Sequence, residues 1–275
     1  MNHFVDLHIH SYYSDGTMSP RQIIDSAKKA GVGIISITDH NEIDGSIEVR
    51  NIVTQNDIFC IAGVELDAVD EDINYHILAY GVDFKNKEFR DNVNHNKELL
   101  EEVNTKLILK MENENIGVSF DEYVDFSYNR NLGGWKALHY FMYKGLTQSL
   151  SDGYSLYAEY NHSYTCVNFP SIEEVCSWIH HAGGKAILAH PGKVIRESNL
   201  KKFSDRLNLL ADFGLDGIEC YYPCHDKEIT DACIRVCKER KLLITSGADC
   251  HGSFEDTEIG QMKTTREHLD IECLL

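Results

Sequence analysis

Residues 4–10 read Phe4-Val5-Asp6-Leu7-His8-Ile9-His10. Side chains of an extended strand alternate between its two faces, so this stretch sets His8 and His10 on one side and Val5, Leu7 and Ile9 on the other. Two imidazoles then converge on one point, as a metal ion requires. A single pair of this kind fits a hydrogen-bonded core pair equally well, so the assignment depends on whether the pattern recurs.

It does recur, at the end of one apolar run after another. Thr38-Asp39-His40 follows the run at 33–37, Glu65 closes 59–65, and His76 lies within 74–80. His190 follows 185–189, and Asp249-Cys250-His251 follows 242–248. Burying so many titratable groups is costly unless a metal or a counter-charge neutralises them. Strands are expected at 4–9, 33–38, 59–65, 75–80, 186–189, 217–220 and 242–246, with helical patterns between them, which implies parallel strands in an α/β fold. Ser19 and Pro20 open one helix that stops at Gly31, Ser171 and Glu174 have capping-box spacing for a second that ends at Gly183-Gly184, and a third fits 227–241. In a parallel α/β barrel all C-terminal strand ends open on one face, so residues from opposite ends of the chain meet there.

The segment 92–166 breaks this rhythm. Leu99, Leu100, Val103, Leu107 and Met111 recur at helical spacing, and 135–143 reads as a second amphipathic helix. We expect residues 1–91 and 167–275 to form the barrel and 92–166 a helical insertion over its C-terminal face, acting as a substrate cap.

Composition narrows the function. With 275 residues, 43% hydrophobic and 25% charged, the chain is globular and long enough for one large unit. Its formal charge of −18 repels a nucleic-acid backbone, so a phosphate ligand needs a local positive centre, which bound cations would supply. Duplex nucleic acid and membranes are therefore not expected partners. No stretch approaches the roughly 20 apolar residues of a membrane span, and a cytoplasmic location is expected. The nine cysteines lack C-x-x-C pairs and read as reduced packing residues. Thiols are absent from the histidine and carboxylate cluster, which favours Mn, Fe, Zn or Mg over a thiolate-type zinc site.

The runs DLHIHSYYSDGTMSP, ITDHNEIDG, AGVEL, YHILAYG, LAHPG, GIECYYPCH and SGADCHG together resemble the PHP (polymerase and histidinol phosphatase) superfamily, in the branch related to bacterial 3′,5′-bisphosphate nucleotide phosphatases. The resemblance implies a distorted (β/α)7 barrel with two or three divalent ions. His8, His10, Glu65 and Asp249 would hold one ion. Glu65 would bridge to a second, also held by His76 and His190, and Asp15, His40 and His251 would hold a third. Ser14-Asp15-Gly16 is also a good turn sequence, which is the competing explanation for Asp15. Two cations about 3.5–4 Å apart can hold a bridging hydroxide at neutral pH and offset phosphoryl charge, which makes water the nucleophile and Glu65 the central carboxylate.

The implied activity is hydrolysis of a phosphate ester in a small phosphorylated metabolite or nucleotide, including the 3′-phosphate of a nucleoside 3′,5′-bisphosphate. The alternatives are a phosphodiesterase acting on a cyclic ribose phosphate or a short oligonucleotide, and a metal-stabilised scaffold without catalysis. The position of His225 resembles that of a family histidine beside the substrate phosphate, where it could bind substrate and donate a proton to the leaving oxygen. A solvent-exposed loop histidine is the other reading. The related phosphatases carry an arginine in the insertion where this chain has Gly133-Gly134, and Arg130 or Lys136 could take over its contact with a second phosphate, although lysine lacks the bidentate geometry of arginine.

Overall fold

A computed structural model of the chain describes residues 3–53 and 58–275; residues 1–2 and 54–57 of the expected barrel segment lie outside the described residues. Seven strands form one sheet in sequence order: β1 (Phe4–Ile9), β2 (Val32–Ile37), β3 (Phe59–Asp70), β4 (Ile73–Tyr80), β5 (Lys185–Leu188), β6 (Gly217–Tyr221) and β7 (Leu243–Ser246). All seven expected strands are present. Six run in one direction, and β4 is antiparallel to both neighbours.

The reversal of β4 departs from the all-parallel expectation for a local reason. Only Glu71 and Asp72 separate β3 from β4, with Glu71 at φ 54°. Two residues can close a hairpin, whereas a parallel crossover needs a dozen or more. The beginning of β4 therefore shares an edge of the sheet with the C-terminal ends of the other six strands. No ladder joins β7 to β1 among the described residues. The seam carries only isolated bridges, Ile9 to Cys250 and Phe4 to Thr265, so the strand count and order of the expected seven-stranded barrel are met without hydrogen-bonded closure.

The helices begin and end where the sequence signals them. In α1 (Pro20–Ala30) the Ser19 side chain and Gln22 complete a capping box, and Gly31 ends the helix at φ 73°. The next helix is α2 (Asp44–Ile52). Between β4 and β5 lie α3 (Lys87–Asn113), α4 (Phe120–Asp125), α5 (Lys136–Tyr143), α6 (Gly153–Glu159) and α7 (Ile172–His181), the last capped by Ser171 and Glu174. The first of these starts at Lys87 rather than near residue 92, because the Asn86 side chain accepts the Phe89 N–H and caps it there. After β5 come α8 (Pro191–Val194), α9 (Leu200–Ala211) and α10 (Lys227–Arg240).

Two apolar layers sandwich the sheet. On one side Val64, Leu66, Ile77, Ala79 and Leu188 pack against α7, α9 and α10. On the other, Val5, Leu7, Ile61, Leu78, Tyr80 and Ile187 meet one another from four strands, and the Tyr80 hydroxyl donates to the Leu7 carbonyl at 2.7 Å. This second cluster is the floor of the site. It also corrects the simple alternation expected for β1, because Val5 and Leu7 belong to it while Ile9 packs with Ile23, Ile24 and Ile35 under α1. A register irregularity between Asp6 and Ile9 intervenes. Such bulges re-aim side chains beside functional sites.

Candidate metal centre

Glu65 lies within β3 rather than at its end, fully buried, on the face that carries Ile61. Around it stand histidines from five other segments. His8 Nε2 and His10 Nε2, at the end of β1, each lie 3.2 Å from Glu65 Oε2. His40, just after β2, places Nδ1 at 3.2 Å from the same oxygen, and His76 of β4 places Nδ1 at 2.9 Å from Oε1. His190, just after β5, brings Nε2 to 3.2 Å from Oε1. Asp249, after β7, puts Oδ1 at 3.3 Å from His8 Nε2 and 3.2 Å from His10 Nε2. His251 Nε2 lies 3.3 Å from Asp15 Oδ1, which is 3.6 Å from His10 Nδ1. All nine expected ligands are thus brought together, and Asp15 faces the cluster from its turn.

Three groups within this set have donor atoms close enough to share an ion: His8, His10, Glu65 and Asp249; His10, Asp15, His40 and His251; and His40, Glu65 and His76. Donors held about 2.0–2.2 Å from one cation lie roughly 3–3.5 Å from each other, and all but two of the separations above, the 2.9 Å of His76 to Glu65 and the 3.6 Å of His10 to Asp15, fall in that range. The hydrogen-bond pattern agrees. His8 Nδ1 sits 3.1 Å from Glu219 Oε1 and His251 Nδ1 sits 2.9 Å from the Asp249 carbonyl, so each ring donates there and turns the lone pair of Nε2 toward carboxylate oxygens. Lone pair against carboxylate is repulsive unless a proton or a metal ion lies between them. Buried His10 Nδ1, Glu65 Oε2, His76 Nδ1 and His190 Nδ1 have no hydrogen-bond partner. The donor set therefore fits divalent metal ions.

The supporting residues were not singled out in the sequence. Glu219 of β6 orients His8 and also accepts the His190 backbone N–H at 2.9 Å. Asp67 lies 3.4 Å from His76 Nε2 and accepts from Asn41 and Asn74. Tyr222 donates to Asp249 Oδ2 at 3.0 Å, and Lys193 reaches the same oxygen at 3.1 Å. Their signal was partly present: Asp67 lies two residues after Glu65 on the same strand and so shares its face. Backbone strain marks the site as well, since His190 and Asp249 have positive φ, 28° and 52°. For residues with a Cβ this costs on the order of 1–2 kcal/mol and persists only where the surroundings enforce it.

Without metal, protons take up part of the carboxylate charge. Burial disfavours a charged His76 or His251, but Glu65 and Asp67 in one case and Asp15 and Asp249 in the other outweigh it and push each imidazole up to about 10. Burial likewise opposes charge on His8, yet Glu65, Asp249 and Glu219 hold its pKa well above the ordinary range. His40 and His190 go the other way, lowered to about 4 and about 3 chiefly by burial. Raised values mean rings protonated at neutral pH, and a ring must lose its proton before it can bind a metal, so metal binding should release protons and tighten as pH rises toward 10. Titration calorimetry in buffers of different protonation enthalpy should give buffer-dependent heats. Buffer-independent heats, with an affinity unchanged between about pH 6 and pH 9, would contradict this.

His225, expected to donate a proton or bind the phosphate, is held through both ring nitrogens by backbone groups. Its Nδ1 donates to the Cys220 carbonyl at 3.0 Å and its Nε2 accepts the Gly192 N–H at 3.0 Å, so both ring nitrogens are occupied. Burial also lowers its pKa and keeps it neutral. It therefore positions the loop that carries Lys193. Arg130 and Lys136 line a cavity of about 330 Å³ that His40 also borders. Arg130 is exposed without an anionic partner among the described residues, whereas Lys136 Nζ donates to the Val124 carbonyl at 3.0 Å and lies 4.5 Å from the Tyr123 ring centroid. Gly133 and Gly134 meet the Asp15 segment. Both have φ 70°, Gly134 donates to the Asp15 carbonyl at 2.8 Å, and a Cβ on Gly133 would lie within 3 Å of Phe254, Asp15 and Thr17. Of the cysteines assigned to packing near the site, Cys220 and Cys250 are buried and Cys224 is exposed.

Comparison with known proteins agrees with this geometry. The PHP domain family pattern matches residues 6–239. A 5′-3′ exoribonuclease Rnm of Salmonella typhimurium is 23% identical, over 93% of this chain and 88% of the relative. A 3′,5′-nucleoside bisphosphate phosphatase of Chromobacterium violaceum is 24% identical, over 91% and 88%. A phosphoribosyl 1,2-cyclic phosphate 1,2-diphosphodiesterase of Eggerthella lenta is 25% identical, over 90% and 94%. Among solved structures, a Bifidobacterium adolescentis protein provisionally assigned as a metal-dependent phosphoesterase superimposes with a TM-score of 0.76 at 23% identity, covering 94% of this chain and 91% of that one.

Proposed function

The chain belongs to the PHP domain family and is a metal-dependent phosphoesterase, and from that premise we propose that it removes a terminal phosphate from a nucleotide, the 3′-phosphate of a nucleoside 3′,5′-bisphosphate being the first candidate. One observation carries the proposal. The metal-ligand cluster opens into a cavity of about 290 Å³, bordered by Asp15, His40, His76, Asp249 and His251, in which Lys193 is the one lysine or arginine among the described lining residues. Such a cavity accepts one phosphoryl group against the cluster with a single protein cation beside it.

We assign His8, His10, Asp15, His40, Glu65, His76, His190, Asp249 and His251 to two or three divalent ions. Manganese, iron or zinc suits the nitrogen-rich donors best, with magnesium as the alternative. Bound ions would supply Lewis acidity and lower the pKa of water. The protein's own residues do the rest: Glu219 fixes the His8 tautomer, Asp67 orients His76, Tyr222 holds Asp249, and Lys193 faces the incoming phosphate. We read the strands as a distorted barrel and residues 92–166, from within α3 through α6, as the substrate cap, because residues of this segment roof the cavity. The Trp135 ring centroid stands 5.6 Å from that of His40.

A second reading has its own support. The metal cavity shares His40, Leu100 and Trp135 with the Arg130 and Lys136 cavity, and Leu100, Trp135, Tyr154 and Tyr164 with another of about 160 Å³. A phosphate at the cluster therefore has room for a substituent on either side, as a phosphodiesterase or a nuclease acting from a chain end would need. A screen of the metal-loaded protein against nucleoside monophosphates, bisphosphates, cyclic phosphates and short oligonucleotides separates the readings, and turnover of none of them would defeat both.

The Arg130 and Lys136 cavity allows a more specific test. Replacing the residue that binds a distal phosphate with Met should lower kcat/KM for a nucleoside 3′,5′-bisphosphate by roughly 10- to 150-fold, the value of about 1.5–3 kcal/mol from one charge-assisted contact. Turnover of the matching 3′-monophosphate should barely change. Arg130 is the stronger candidate, because Lys136 already holds a carbonyl and an aromatic face. Wild-type kinetics for both variants on the bisphosphate would remove these residues from the site.

A further inference from the structure

Trp135, Tyr154, Tyr157 and Tyr164 line a chamber of about 160 Å³ next to the cationic cavity, with which it shares Leu100, Asn104 and Trp135. A whole drug-sized ligand fills about 300 Å³ or more, so this chamber takes one group of a substrate whose remainder lies elsewhere. That remainder has an obvious place, because Trp135, Tyr154 and Tyr164 also border the metal cavity.

We propose that this chamber is a nucleobase subsite, in which the base of the nucleotide stacks against the tyrosines while its phosphate lies at the metal cluster. The inference rests on the phosphoesterase reading above and specifies which part of the substrate it selects. Four aromatic side chains in one small chamber offer π-faces to a planar ring, and such stacking tolerates any base. The polar groups at the edge suit a heterocycle better than an alkyl chain. Asn104, almost fully buried, accepts the Tyr157 hydroxyl at 2.5 Å, which orients the amide and leaves Nδ2 without a partner among the described residues. His162 Nε2 donates to the Val103 carbonyl at 2.8 Å, which leaves Nδ1 as an acceptor. A free donor and a free acceptor can pair with the edge of a base, whereas an alkyl chain would leave both unsatisfied.

Two measurements test the subsite. In the first, saturation-transfer NMR on protein without added metal compares adenosine with ribose. Adenosine should receive saturation mainly at its base protons, ribose should receive none, and Tyr154→Leu should abolish the effect. In the second, the metal-loaded protein is assayed on adenosine 3′,5′-bisphosphate and on ribose 5-phosphate. Tyr154→Leu should lower kcat/KM on the nucleotide at least about fivefold more than on ribose 5-phosphate, while Tyr154→Phe, which keeps the ring, should behave as wild type. A folding defect would lower both substrates alike and would leave the Phe variant intact, so the NMR result then decides. Equal saturation of ribose and base, or equal losses on both substrates in a folded Tyr154→Leu protein, would overturn the subsite. Base-selective saturation without hydrolysis of any nucleotide would refute the nucleotide-phosphatase reading and leave the subsite standing.

Discussion

Glu65→Gln is expected to cost at least one bound metal ion and to lower kcat a hundredfold or more. The carboxylate is fully buried, and five histidine nitrogens lie within 3.2 Å of its two oxygens. An amide has nearly the same shape but no charge. Cations sharing it would lose the anion that offsets them, and the amide nitrogen would turn a donor toward them. Removing one partner of a buried charge cluster leaves the others uncompensated, which is costly even when the intact cluster contributes little net stability. Loss of a major electrostatic element in an active site typically costs two to three orders of magnitude in kcat. Metal content by mass spectrometry, read beside turnover, gives the outcome. Near-normal turnover at full metal content would remove Glu65 from the centre.

Much of this site could be read from the sequence because the same short-range rule generated it repeatedly. A histidine or carboxylate after an apolar run becomes a side chain at a strand end, and a sheet whose strands mostly share one direction gathers such ends on one edge. The rule failed where local geometry departed from it. The two-residue turn at Glu71-Asp72 reversed β4, so His76 enters the cluster from the beginning of its strand. The irregularity in β1 put Val5 and Leu7 under the site on the side of the sheet that was to hold the histidines alone. The expected insertion helices appeared, with Leu99, Leu100, Val103, Leu107 and Met111 all buried, but helical spacing alone does not say which of their residues face the metal cavity. Trp135 and Tyr154 were thus invisible as lining residues. Gly133-Gly134 illustrates the same limit: the segment it packs against, at Asp15, lies more than a hundred residues away. His225 resembled a family histidine by position, and the partners of its ring were not legible. Its hydrogen bonds to Cys220 and Gly192 depend on a loop conformation that no spacing rule encodes.

Lys193→Met is the second large effect expected, a loss of roughly 10- to 150-fold in kcat/KM on every phosphate ester, corresponding to about 1.5–3 kcal/mol for one charge-assisted contact. The side chain is half exposed, its Nζ rests on Asp249 Oδ2, and it borders the cavity above the metal cluster. Two roles would fit this placement, and they predict opposite effects on the metal. If Lys193 serves the phosphate, its removal takes a positive charge away from the cluster, so divalent ions should bind as tightly as before or more tightly, by the sign of the Coulomb interaction. The loss in turnover should then persist at saturating metal. If Lys193 serves chiefly to hold Asp249, its removal frees that carboxylate, metal affinity should fall, and excess metal should restore activity. The Tyr222 hydroxyl, which donates to the same Asp249 oxygen at 3.0 Å, favours the first outcome because it keeps Asp249 oriented when the lysine is gone. Kinetics at two metal concentrations, with metal content measured in parallel, distinguish the two. Full rescue by excess metal would move Lys193 from the phosphate to the support of Asp249.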